Sequence, residues 1–144
     1  MRHHDLDIDP RTAAERRTSR TRVMIGMTLI LLLAQFLLGM YVNLFVPNPG
    51  DQPVLLAHIL LGSLLLLMAL ATAGVAIAGH RPVTAVLSAA GLVFLVMAWI
   101  GGARFLAGGG HNVDSYVMAT GFVLAACSYV VALERGRRVA PERA

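Results

Sequence analysis

Lysine is absent from this chain, cysteine and tryptophan occur once each, and charged residues fill only 14% of the 144 positions. Each shortage excludes something. One cysteine cannot build a disulfide framework or a cysteine-rich zinc site. With 57% apolar residues, so little charge cannot supply the polar surface that a water-soluble enzyme lays over its core. A mean hydropathy of +0.70 excludes a disordered chain. The length suits one compact unit. All twelve basic residues are arginines, and against eight acids they leave a formal charge of +4. The class that survives is a small polytopic membrane protein.

Four apolar runs carry that reading. Residues 23–46, 83–103 and 115–133 hold no charged residue, and residues 54–78 hold a single ionisable group, His58. About 20 mainly apolar residues are needed to cross a hydrocarbon core as a helix. Strands fit poorly, because nothing alternates with a period of two and the runs are long. In lipid the backbone amides must be satisfied within the segment, which leaves helices. The links are PNPGDQP (47–53), GHRP (79–82) and RFLAGGGHNVD (104–114). Gly79 suits the end of the second helix and Pro82 the start of the third, and Asn112 or Asp114 can cap the fourth. Short links make consecutive helices antiparallel neighbours, so the expected fold is an all-α, four-helix transmembrane up-down-up-down bundle.

The arginines orient it. With four spans, residues 1–22, the second link and residues 134–144 share one side. That side carries eleven arginines, whereas Arg104 stands alone on the other. The positive-inside bias places both termini in the cytoplasm. Residues 1–22 thus form a basic cytoplasmic tail, 23–133 the transmembrane domain and 134–144 a second tail. Asp9-Pro10 can open a helix that runs through RTAAERRTSRTR into the first span. The first run is too long for a cleaved signal peptide and VPNPG offers no cleavage site, so it is expected to be retained. Arginines beside the bilayer attract anionic lipid. They stand where topology already requires them, so nucleic acid is not an expected partner. His3-His4 lacks the further ligands that a metal site needs.

Polar groups inside spans are costly and call for a reason. Gln35, Gly39 and Asn43 follow one another at four-residue steps and form one stripe of the first helix. His58 lies near the outer end of the second helix, at the depth of Asn43, and an Asn43–His58 hydrogen bond is expected. Arg104, His111 and Asp114 lie in the outer link, and the inner half is expected to be plain apolar packing. Imidazole ligates haem iron and arginine pairs with propionates. A b-type haem held by His58 and His111 as metal ligands, with Arg104, Asn43 and Gln35 in support, is one expectation. Histidines with purely structural roles are the other. No hydrolytic constellation appears. Cys127 reads as a small packing residue. Small residues recur at helical spacing as Gly62, Ala69, Ala73 and Ala76, and again as Gly121, Ala125 and Ser128. They suit packing within the bundle or docking against other membrane-protein subunits. Function therefore divides between a haem-associated electron carrier or haem-handling factor and a non-catalytic accessory subunit.

Laying the second helix pair over the first with an offset of 63 residues aligns Gln35–Val42 with Ala98–Phe105, an aromatic and a glycine falling at matching steps. The run Gln35-x-x-Leu38-Gly39-x-Tyr41-Val42-Asn43, followed by an outer link and His58, resembles one four-helix half of haem A synthase. That resemblance implies a bundle with haem-ligating histidines near its outer face, on the second and fourth helices. His58 matches the second-helix position, and Gly121 stands at the fourth. The chain also looks similar to short four-helix membrane proteins of GC-rich bacteria.

Overall fold

The computed structural model describes residues 10–45, 53–79, 81–108 and 112–138. They form four helices: α1 (Pro10–Phe45), α2 (Pro53–Ala78), α3 (Pro82–Ala107) and α4 (Asn112–Arg138). There is no strand among the described residues. Three of the helices begin on proline, whose fixed φ suits the first turn and whose missing N–H is not needed there. At the other ends, Gly79 N–H donates to Val75 O at 3.0 Å and Gly108 N–H to Arg104 O at 2.7 Å, closing the last turns of α2 and α3.

Each helix contains a segment long and apolar enough to cross a membrane, with mean hydropathy between 1.9 and 2.5. The 36 residues of α1 extend to about 54 Å, well beyond a hydrocarbon core of about 30 Å. Its N-terminal turns therefore project past the apolar part. The basic segment before residue 23 is accordingly helical from Pro10, continuous with the first span.

The helices pack in a ring. α1 lies against α2 and α4, α3 lies against α2 and α4, and the α3–α4 contact is the most extensive. Ile25 and Leu32 of α1, Leu65 and Ala69 of α2, Leu95 of α3, and Ala125, Tyr129 and Ala132 of α4 form one buried cluster. The outward faces are apolar as well: Ile30, Leu67 and Val86 are each more than 60% exposed. Lipid solvates such an exterior, and water does not.

Glycine controls how closely α3 and α4 approach. A Cβ on Gly101 would lie 2.8 Å from Met118 N and 3.0 Å from Asp114 O, and one on Gly121 would lie 2.7 Å from Phe94 O. Each glycine thus rests directly on the backbone of the other helix. Ala69, Ala73, Ala76, Gly121 and Ala125 are all buried. These members of the small-residue stripes are therefore used inside the bundle, and the outward faces mix large aliphatic and aromatic side chains with small ones such as Ala71, Gly74 and Ala119.

The third link is shorter than the sequence suggests. Arg104 sits in the last turns of α3 and Asp114 in the first turn of α4. The end of the apolar run and the three consecutive glycines of RFLAGGGHNVD mark residues 104–114 as a link. Both Arg104 and Asp114 are helical, and they pair across the gap between the two helix ends.

Candidate functional site

The residues singled out by the sequence separate into two groups. On α1, Gln35 is 8% exposed and points at α2. Its amide Nε2 donates to His58 Nε2 at 3.1 Å and to the His58 carbonyl at 3.0 Å. This requires a neutral imidazole whose Nε2 accepts, with the proton on Nδ1. The pair is reciprocal in shape. A Cβ on Gly39 would lie 3.0 Å from His58 Cε1, and one on Gly62 would lie 3.0 Å from Gln35 Nε2. Gln35 and Gly39 are four residues apart on α1, as are His58 and Gly62 on α2. Each helix thus presents a polar knob and, one turn on, the hole that receives its partner's knob. Gln35 Oε1 and His58 Nδ1 are buried with no hydrogen-bond partner among the described residues.

His58 Nε2 is held by Gln35, a contact the sequence did not single out, and the expected Asn43–His58 hydrogen bond falls on a side chain outside the described residues. His111 also lies outside them. Depth suggested Asn43 as the partner of His58; Gln35, two turns earlier on the same stripe of α1, is buried and long enough to reach it.

The second group lies at the α3–α4 end. Arg104 Nε is 3.1 Å from Asp114 Oδ1. The arginine side chain is 73% exposed and the aspartate side chain 10%. Asp114, expected to be solvated or a cap, is instead a buried carboxylate in the first turn of α4, where the helix dipole also favours it. Gln35–His58 and Arg104–Asp114 thus belong to two different helix interfaces.

The half of the bundle away from the Gln35–His58 pair, expected to be plain apolar packing, also holds polar groups. Thr28 and Thr72 are fully buried, with hydroxyls 3.0 Å apart, and each hydroxyl also reaches the carbonyl four residues back. The Tyr129 hydroxyl donates to Ser88 O at 3.4 Å, and its ring fills the notch at Gly91, where a Cβ would lie 2.7 Å from the ring. Arg22 donates to Gly136 O, and Arg81 donates to Thr18 Oγ1 at 2.6 Å. Sequence reasoning missed Tyr129. The signal available was a tyrosine well inside an apolar span, where its hydroxyl needs a partner. Cys127, expected to be a packing residue, is exposed on the outside of α4.

A haem axial ligand must direct a ring-nitrogen lone pair at iron beside a slot wide enough for a porphyrin. Here Nε2 already accepts from Gln35, and the ring rests on Gly39 where α1 and α2 meet. This arrangement does not fit a haem seated on His58 Nε2 unless the Gln35 bond opens and the helix pair parts. The fourth-helix position that the haem A synthase resemblance would assign to a second ligand is Gly121, which the α3 backbone fills. Among the described residues no group of three or more metal-ligating side chains occurs. No family model, no curated protein and no solved structure matches this chain.

Proposed function

We propose that the protein is a non-catalytic, multi-pass component of a bacterial inner membrane, an accessory subunit whose polar side chains hold its own helices together. In this reading the helices run up-down-up-down with both termini in the cytoplasm. Two observations support that course. The start of α1 meets the end of α4 through Arg22 and Gly136, and Thr18, near that start, bonds Arg81 at the head of α3. At the opposite end, exposed Tyr41, Phe45 and Tyr116 supply the aromatic belt usual at an interface, while the arginines gather at the first end.

The observation that carries the non-catalytic reading is the pairing itself. Gln35 with His58 and Arg104 with Asp114 engage each other across helix interfaces and do not converge on a shared opening. The competing reading, a b-type haem on His58, draws on the unpartnered Nδ1. A visible spectrum of the detergent-purified protein, expressed with haem available, separates the two. A colourless preparation that migrates on a native gel of the membrane within a heteromeric band is the expected result. A Soret band lost in His58→Ala overturns the proposal in favour of haem, and migration as a free monomer overturns the accessory role.

A further inference from the structure

At the arginine-rich end, between α1 and α2, lies an open groove of about 390 Å³ lined by Ser19, Arg20, Val23, Met24 and Val75. Its composition is graded along α1. Arg16, Ser19 and Arg20 are exposed where the helix projects beyond its apolar part, and one turn further on the walls become valine and methionine.

The arginines here differ in what they already hold. Arg22 is committed to Gly136 O and Arg81 to Thr18 Oγ1. The Arg20 guanidinium and the Ser19 hydroxyl make no hydrogen bond with another protein group among the described residues. A guanidinium fork and a hydroxyl at the mouth of an apolar groove match a phosphate diester attached to an acyl chain. A soluble phosphate would leave the valine and methionine walls uncovered. Arg16, four residues before Arg20, lies on the same stripe and adds a second positive charge one turn beyond the mouth.

The geometry points to a binding site for one anionic glycerophospholipid, its phosphate on Arg20 and Ser19 and an acyl chain laid along Val23, Met24 and Val75. The site differs from the general attraction of a basic tail for an anionic leaflet because it has walls and because Arg20 is the arginine that lines them. It would fasten α1 to α2 at the end opposite the Gln35–His58 pair.

The test uses the full chain in detergent micelles with phosphatidylglycerol and phosphatidylcholine of matched acyl chains, retained lipid being counted by native mass spectrometry. Phosphatidylglycerol should be retained preferentially. Arg20→Gln should weaken that retention about fivefold, the effect of one interfacial arginine. Arg135→Gln, an exposed arginine on α4 away from the groove, should leave it within twofold. Val23→Trp keeps every charge but fills the groove, and should reduce retention as Arg20→Gln does. Arg20→Lys, which keeps the charge and the topology signal but loses the planar fork, should fall between wild type and Arg20→Gln. Equal losses for Arg20→Gln and Arg135→Gln would reduce the effect to diffuse attraction and overturn the site. Unchanged retention in Val23→Trp, or displacement of the lipid by millimolar inorganic phosphate, would overturn it too.

Discussion

The α1–α2 and α3–α4 interfaces meet the same requirement with different materials. Both must bring two apolar helices together in a solvent that gives no hydrophobic reward for doing so, leaving packing and hydrogen bonds as the available forces. α1 and α2 use side chains: Gln35 fits over Gly62, His58 over Gly39, and the two polar groups bond to each other. α3 and α4 use backbone: Gly101 and Gly121 each remove a side chain so that main chain meets main chain. Under the 63-residue offset, Gln35 and His58 correspond to Ala98 and Gly121, and those two are also in contact, a Gly121 Cβ lying 3.1 Å from Ala98 Cβ. Corresponding positions therefore touch in both halves, through a polar pair in one and through the smallest residues in the other. A side-chain clasp can adjust by rotamer changes. A backbone contact cannot, so the second interface should be the less forgiving.

That difference predicts the ranking of mutational effects. The largest should follow Gly121→Leu or Gly101→Leu, where the atoms in the way are Phe94 O, Ala98 N and Met118 N and cannot rotate aside. Overpacking usually costs about 1–3 kcal/mol, and the rigid neighbours put these at or above the top of that range. Thermal unfolding in detergent, followed by far-UV circular dichroism, should show the helix pair lost well below the wild-type midpoint. Gly91→Ala comes next, because a Tyr129 ring atom lies 2.7 Å from the added carbon and Tyr129 is fully buried. If Gly121→Leu proves milder than Gly39→Ala, the backbone account of α3–α4 fails.

Much of this was legible in the chain, and the limits of that legibility are physical. The four spans stand out because a helix in lipid has to be apolar around its whole circumference, which leaves long uncharged runs. The same property leaves few marks of rotation. With apolar residues almost all round, the one polar stripe of α1 marks the face that meets α2 at Gln35 and Gly39, but depth alone did not show that Gln35 reaches His58. Gly39 and Gly62 were visible as small residues, but a hole can be assigned only once its knob is known. Arg104 and Asp114 were read as link residues because a charge normally ends a span, yet α3 runs to Ala107 and α4 starts at Asn112, with the two residues paired between them. Thr28 and Thr72 were passed over because single hydroxyls are common in spans, and only the fold shows that these two meet.

The polar clasp should show moderate and coupled effects. Gln35→Ala and His58→Ala each remove one partner and leave the other buried. Their double-mutant cycle should give a coupling of about 0.6–2 kcal/mol, the range for hydrogen bonds between membrane helices. Gly62→Ala should cost less than Gly39→Ala, because the amide of Gln35 shifts more readily than an imidazole ring. A coupling near zero would mean that Gln35 and His58 share an interface without holding it. Thr28→Val should cost about 0.6 kcal/mol by the same scale, its shape being kept and only the bond to Thr72 lost.

The smallest effect should come from the Arg104–Asp114 ion pair, and its asymmetry is informative. Removing Asp114 with Asp114→Asn leaves Arg104 largely in solvent, since its side chain is already 73% exposed. Removing Arg104 with Arg104→Gln leaves a carboxylate that is only 7% exposed and has lost its counter-charge. The helix dipole at the start of α4 still favours that carboxylate and limits the loss. Exposed pairs contribute about 0–1 kcal/mol, so both changes should be small, with Arg104→Gln the larger. Raising the salt from low to about 0.5 M should shrink the wild-type advantage over Arg104→Gln, because the arginine side of the pair is screened. A loss for Asp114→Asn that exceeds that for Arg104→Gln and ignores salt would show that Asp114 acts on the α4 N-terminus, with the arginine incidental to it.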